Sequence, residues 1–255
     1  MIKPSSSSHW YTTDGEPAYN ATLRDARKEK LYPSVTQVLG ILAKPAVESW
    51  AVNLMSETCF NNPRQDTWGD RESLEEYRDR IEPIYEAKRG EAAIRGSAIH
   101  DYAEAYLGGG DPEPVEGYEK QCANLADWLD THISSAICEK TFAYDTWDNM
   151  GYGGRIDAHG TLKDGRKFLL DFKTQDLKGK KSPTFYPEWK YQLGAYHTWL
   201  ASQSIDKDIA ILSVVIDTGP AACIHVKEYS EDDIFIAFGV FTSALVLFYE
   251  LKGLT

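Results

Sequence analysis

The sequence predicts an α/β or α+β core with a helical N-terminal elaboration. The order of its patterns supports this prediction: helical stretches come first, then a run of strands, then helix, strand and helix. The chain has 255 residues, of which 42% are hydrophobic and 26% are charged. Such a chain can bury a core without disulfides or a structural metal. This composition excludes disorder, collagen and coiled coil as descriptions of the whole chain.

The N-terminal half is predicted to be mainly helical. Residues 9–20 are rich in aromatics around Asp14-Gly15, which indicates two short strands joined by a turn. Ser34 follows Pro33 and is a suitable N-cap for the next helix. The density of charge over residues 61–92 indicates a solvated helix, and Gly96-Ser97 is expected to begin a separate one. The predicted helices begin at 34 and 45, and the later ones cover 61–92, 95–106 and 115–134.

The C-terminal half is predicted to carry the sheet. Its strands alternate or run apolar, and Lys163-Asp164-Gly165 marks a turn between two of them. The predicted strands are 137–144, 153–162, 167–173, 209–216 and 222–229, and the predicted helices are 186–201 and 231–252. We therefore divide the chain into an N-terminal elaboration, 1–92, and a core, 93–255, expected to form one compact unit.

The uncharged stretch from Ile234 to Tyr249 allows two interpretations. It is slightly short for a membrane-spanning helix, and it directly follows three acidic residues, 231–233. We expect a buried C-terminal helix and no membrane partner. A peripheral membrane protein that uses this stretch is the alternative.

Charge and cysteine content narrow the function classes. The net charge of −12 argues against a protein that coats nucleic acid by bulk charge, but not against an enzyme with a local basic groove. The four cysteines include no CxxC pair, so a zinc ribbon is not expected. Sparse cysteines and the lack of an apolar leader favour the cytoplasm over secretion.

The most informative residues are two aspartates and a lysine on adjacent predicted strands. Asp171 and Lys173 are two apart, so both side chains leave the same face of a strand. A hairpin can bring Asp157 beside Asp171, and two close carboxylates repel unless a cation lies between them. Hard oxygen ligands suit Mg²⁺ or Mn²⁺, which can activate water at a phosphoryl group. The alternative is a surface hairpin with ordinary exposed ion pairs.

Two helical patterns add to this group. His100 lies one turn after Gly96, on the face shared with Glu104, and imidazole is a suitable ligand for Mn²⁺. Gln192 and Tyr196 form an i, i+4 pair on one helix face. Either pattern alone is better explained by packing or by a structural hydrogen bond.

In order and spacing, these residues resemble the RecB-type branch of the PD-(D/E)xK nuclease superfamily. The motifs are GxxxH (Gly96, His100), GxxD (Gly154, Asp157), DxK (Asp171, Lys173) and QxxxY (Gln192, Tyr196). The opening and the segment 33–36 also resemble mitochondrial genome maintenance exonuclease and phage-encoded exonucleases. The resemblance spans roughly residues 9–200. It implies a restriction-endonuclease-like core with a central mixed β-sheet flanked by helices.

The resemblance also implies roles for individual residues. It makes Asp157, Asp171, His100 and the backbone carbonyl of Phe172 ligands of Mg²⁺ or Mn²⁺, with Glu139 as a further candidate. Lys173 would position water or stabilise the phosphate. Gln192 and Tyr196 would brace the site and contact the DNA backbone. Many relatives carry an iron–sulfur cluster on one upstream cysteine and three clustered downstream ones, but here only Cys223 lies downstream, so no cluster is expected.

A local excess of basic residues offers a DNA-binding surface. Between 163 and 190 there are eight lysines and arginines against four acids, and aromatics lie nearby. A solvated lysine loop is the alternative. The DNA-binding candidates are Lys178, Lys180, Lys181, Arg95, Arg155, Ser34 and Thr36.

The expected function is that of a metal-dependent DNA exonuclease acting on ends of single-stranded or unwound DNA. The helices of 35–92 could form an arch over the site. A structure-specific endonuclease and a non-catalytic DNA-binding recombination accessory protein remain alternatives. The resemblance implies work in phage-type DNA replication, recombination or degradation, in the host cytoplasm, with a recombination or single-strand-binding protein as a possible partner. Polarity, strand preference and oligomeric state stay open.

Overall fold

The structure is a computed structural model that describes residues 9–67, 70–147, 150–203 and 209–254. Contacts divide the chain into two units. The sheet unit comprises Met1–Leu42 and Ile99–Thr255, and the helical unit comprises Ala43–Ala98. This division differs from the predicted boundary at residue 92, because Trp10, Ala26, Val35 and Val38 pack into the core of the sheet unit.

The sheet unit is built on a five-stranded mixed sheet. Its strands lie in sequence order and are β5 (Ile133–Asp145), β6 (Gly151–Leu162), β7 (Lys167–Gln175), β8 (Ile209–Asp217) and β9 (Ile224–Tyr229). β7 and β8 are parallel, and the other neighbours are antiparallel. The predicted α+β class with a central mixed sheet flanked by helices is confirmed.

Two apolar layers cover the sheet. One contains Leu125 and Leu129 of α5 (Glu119–His132), which pack with Leu170 and Phe172 of β7. The other contains residues of α6 (Pro187–Gln203) and α7 (Glu231–Lys252), which pack with Leu169. Alternate residues of β7 therefore face opposite layers, as the two-residue period of a strand requires.

The N-terminal segment differs from the predicted hairpin. Strand β1 (Trp10–Tyr11) pairs with β2 (Tyr32–Pro33). The predicted turn at 14–15 is present, since the amides of Thr12 and Ala18 donate hydrogen bonds to the carbonyls of Glu16 and Trp10, but an isolated bridge stands in place of the second strand. The unpredicted helix α1 (Leu23–Glu29) lies between the two strands. Helix α2 (Val35–Leu39) begins after Ser34, whose hydroxyl accepts a hydrogen bond from the Gln37 amide, as the sequence predicted.

The helical unit contains α3 (Pro45–Asn61), the small hairpin β3 (Asp66–Thr67) and β4 (Asp70–Arg71), and most of α4 (Leu74–Leu107). Helix α4 is continuous through Gly96, so the prediction of separate helices at 61–92 and 95–106 is wrong. An internal glycine costs a helix only about 1 kcal/mol, which tertiary packing can offset. The predicted arch over the site is not tested and stays a prediction.

Helix α7 is the one helix within the described ranges whose length and composition would allow it to cross a membrane. A little under half of its apolar stretch is buried inside the protein. Phe241, Leu245 and Phe248 lie in the core beside α6, so one face of α7 is buried as predicted. The opposite face is exposed and carries Phe235, Leu247 and Leu251.

Ser230 caps α7, and its loss should be measurable. Its hydroxyl accepts a hydrogen bond from the Asp233 amide at 3.2 Å. We expect Ser230→Ala to lower the free energy of unfolding by about 1 kcal/mol, measured by urea denaturation. Ser243→Ala, at an exposed position within the same helix, should change it by less than about 0.5 kcal/mol. Equal effects of the two substitutions would show that the cap contributes nothing.

Candidate active site

The two predicted aspartates lie where β6 and β7 separate. The paired residues of these strands end at Ala158 and Leu170. Asp157 and Asp171 are the next residues on each strand, so they lie opposite each other at the point of separation. The amide of Phe172 donates a hydrogen bond to Oδ2 of Asp157 at 2.8 Å, which fixes one carboxylate against the neighbouring strand.

Asp171 is fully buried. One of its carboxylate oxygens accepts a hydrogen bond, and the other has a close ion-pair contact but no hydrogen bond. Its Oδ2 lies 2.6 Å from Nζ of Lys173, and its Oδ1 accepts a hydrogen bond from Nε2 of Gln192 at 2.9 Å. The lysine comes from the same strand face and the glutamine from α6. The DxK and QxxxY motifs therefore meet at one carboxylate.

Tyr196 supports the glutamine from one helical turn further along α6. Nε2 of Gln192 also donates to the Tyr196 hydroxyl at 3.0 Å. The Tyr196 ring packs edge-on against Phe142, 5.7 Å between centroids. A Cβ atom at Gly154 would come within 2.8 Å of both rings, so this position of the GxxD motif requires glycine.

His100 approaches Asp157 from α4. Its Nδ1 lies 3.6 Å from Oδ2 of Asp157, and its ring is edge-on to Phe172 with centroids 6.0 Å apart. Residues 99–107 of α4 belong to the sheet unit. The structure therefore brings together His100, Asp157, Asp171, Lys173, Gln192 and Tyr196, although they come from four elements and 97 residues of sequence.

Burial dominates the electrostatics of these groups. It raises the pKa of Asp157, and it raises the pKa of Asp171 to about 6, a shift that Lys173 opposes and the charge of Asp157 reinforces. Burial and the charge of Lys173 lower the pKa of His100 to about 4. The imidazole is therefore neutral near pH 7, which is the form that binds metals.

The donor set fits a hard divalent cation. Two neighbouring carboxylates, of which Asp157 raises the pKa of Asp171, a neutral imidazole and the carbonyl of Phe172 are ligands that Mg²⁺ or Mn²⁺ accepts. Within the described ranges, however, no three His, Cys, Asp or Glu side chains are gathered into a ready metal site. Lys173 takes up one oxygen of Asp171, so a cation would compete with this ion pair.

Glu139 lies on β5 between Cys138 and Lys140, which pair with the two neighbours of Asp157 on β6, and it is turned toward Arg155. Oε2 of Glu139 lies 2.5 Å from a terminal nitrogen of Arg155. Burial raises the pKa of Glu139 to about 7; Arg155 opposes this shift, and the charges of Glu104, Asp157 and Asp101 add to it. The structure therefore places the predicted further ligand in an ion pair.

Tyr11 is a neighbour of the site that the sequence analysis did not single out. It is buried against Gly153. Burial raises the pKa of its hydroxyl to about 12, and the positive charge of Arg155 opposes this shift. The run of glycines at 153–154 was the available signal, because it indicates close packing of another segment on this strand.

Apart from Arg155, the predicted DNA-binding residues lie outside the sequence segments that carry Asp157 and Asp171. Lys178, Lys180 and Lys181 are exposed on the segment between β7 and α6. Arg95 belongs to the helical unit. Ser34 is only 3% exposed and its hydroxyl caps α2, whereas Thr36 is exposed. Their DNA-binding roles stay predictions.

Comparison with known proteins gives little that bears on activity. No protein-family model matches the chain, and no curated protein matches it. One similar solved structure is a protein of Eubacterium rectale described as a "Putative exonuclease", with a TM-score of 0.45 and 9% identity over 62% of this chain and 67% of that one. Another is SSO0001, with a TM-score of 0.37 and 14% identity over 77% of this chain and 85% of that one.

Proposed function

We propose that this protein is a metal-dependent deoxyribonuclease that hydrolyses phosphodiester bonds from the ends of single-stranded or unwound DNA. The observation that carries the proposal is the fully buried Asp171 carboxylate, held between Lys173 and Gln192 with Asp157 beside it. Perturbed titratable groups from several elements, gathered at one point, are typical of an active site. The motif order described above supports the same conclusion.

Each residue has a chemical task in this proposal. When bound, a Mg²⁺ or Mn²⁺ ion held by Asp157, Asp171, the carbonyl of Phe172 and His100 would neutralise phosphate charge and activate water. Lys173 supplies a positive charge beside the scissile phosphate as negative charge develops there. Gln192 holds the orientation of Asp171, and Tyr196 holds that of Gln192.

DNA binding would depend on local rather than overall charge. The whole chain carries −12, yet Arg155, Lys173 and the exposed lysines 178, 180 and 181 lie on β6, β7 and the segment that follows β7. Binding through a few phosphate contacts becomes weaker as salt concentration rises. We therefore expect modest affinity with strong salt dependence.

The proposal is tested with the purified protein and defined substrates. Linear single strands labelled at the 5′ or 3′ end, circular single strands and duplexes are incubated with Mg²⁺, Mn²⁺ or EDTA. We expect metal-dependent loss of the linear strand, no cutting of the circle, and a label pattern that gives the polarity. Lys173→Met protein purified in parallel controls for contaminating nucleases and should leave the linear strand largely intact.

Other outcomes point to the alternatives. Cutting of the circular strand would replace the exonuclease with an endonuclease. DNA binding without cleavage of any substrate, with either metal, would leave a non-catalytic DNA-binding module. Equal cleavage by wild type and Lys173→Met would contradict the proposed site.

A further inference from the structure

The ion pair between Glu139 and Arg155 has features of a contact that a substrate can replace. Both side chains are about three-quarters buried, and the pair lies beside the carboxylates because Arg155 is two residues before Asp157 on β6. Cys138 pairs with Ala158 and Lys140 with Ile156, but Glu139 itself forms no pair in this ladder and has a φ of 55°. This backbone conformation breaks the regular pairing at Glu139.

The surroundings of Glu139 destabilise a negatively charged carboxylate. Apart from Arg155, the charges that act most on Glu139 are those of the acids Glu104, Asp157 and Asp101. The guanidinium is therefore the partner that compensates Glu139 at this position. A phosphodiester offers the same guanidinium two oxygens in a geometry that arginine binds well.

We propose that Arg155 is the residue that holds a DNA phosphate next to the reacting carboxylates, and that Glu139 is its internal competitor rather than a metal ligand. In the free protein the Glu139 carboxylate is paired with the Arg155 guanidinium. When DNA binds, a backbone phosphate takes the place of the Glu139 carboxylate, two residues from Asp157. This inference rests on the proposed function and identifies the residues that set its DNA affinity.

The test is DNA binding in EDTA, where cleavage does not interfere. Fluorescence anisotropy of a labelled single strand gives the Kd of wild type and variants. We expect Glu139→Gln to bind about three- to tenfold more tightly, because no competitor has to be displaced. Glu139→Asp keeps the charge but is one methylene shorter, so it should give part of this gain.

Two controls separate competition from general charge. Glu104→Gln removes one negative charge in the same neighbourhood without touching Arg155, and it should tighten binding by less than about twofold. Arg155→Gln should weaken binding, and adding Glu139→Gln to it should bring no further change. Circular dichroism confirms that each variant is folded.

Several results would overturn the inference. Equal gains from Glu139→Gln and Glu104→Gln would show a general charge effect. Unchanged affinity of Glu139→Gln with loss of metal-dependent cleavage would make Glu139 a metal ligand. If the wild type binds DNA but neither Glu139 variant binds more tightly, Glu139 is not a competitor and the proposed function is unaffected. If the wild type does not bind DNA, the proposed function is contradicted as well.

Discussion

Replacing Asp171 by asparagine is expected to reduce metal-dependent DNA cleavage by about 10³-fold or more, because the site loses both a ligand charge and the partner of Lys173. Such a loss corresponds to about 4 kcal/mol of transition-state stabilisation. Asparagine has the same shape, and its oxygen can still accept the hydrogen bond from Gln192. Initial rates on an end-labelled strand, measured over a range of metal concentrations, give the effect.

The loss should not come from unfolding. The Lys173 side chain is 22% exposed, so water can solvate its ammonium once the carboxylate is gone. We expect the melting temperature of Asp171→Asn to stay within about 5 °C of wild type. Asp232→Asn, at an exposed aspartate in the first turn of α7, should keep wild-type activity. Retained cleavage in a folded Asp171→Asn protein would contradict the assignment of the site.

It was predictable that the residues of the candidate site lie close together, because their spacing follows the periods of strands and helices. The two-residue period of a strand puts Asp171 and Lys173 on one face, and the helical period does the same for Gln192 and Tyr196. A hairpin then places Asp157 opposite Asp171. The orientation of the Glu139 side chain toward Arg155 was not predictable. It depends on a positive φ at Glu139 within a strand, and the sequence has no glycine there to indicate one.

The elements of the fold that have strong local sequence patterns were predicted, and those that depend on distant contacts were missed. The strands of the meander β5–β7 alternate or run apolar, and α7 is a long uncharged stretch that begins after the cap Ser230. The start of β5 was placed four residues late, because the preceding helix was expected to continue to 134. The pairing of β1 with β2 was missed because it joins residues that are more than 20 apart along the chain. Helix α1 was also missed, although Thr22 and Asp25 form a capping box that the sequence displays.

Gly160→Ala is expected to lower the free energy of unfolding by about 3 kcal/mol or more. Gly160 lies in β6 between Ala136 of β5 and Phe168 of β7. The register of β5 shifts between Ile133 and Ser135, and there the backbone of β5 passes very close to Gly160. A Cβ atom would lie 2.9 Å from Cα of Ala136 and closer still to the carbonyl oxygen of Ser135. Because these are backbone atoms within a sheet, the strands themselves would have to move apart.

The same substitution at Gly239 should have the opposite sign. Gly239 lies within α7, and a Cβ atom there meets nothing within 4 Å. Alanine is the better helix former, so Gly239→Ala should raise stability by up to about 1 kcal/mol. Urea denaturation followed by circular dichroism compares the two variants. If Gly160→Ala were as stable as wild type, β5 and β6 could not be as close as the structure places them. Because β6 carries Arg155 and Asp157, the site would then need a different geometry as well.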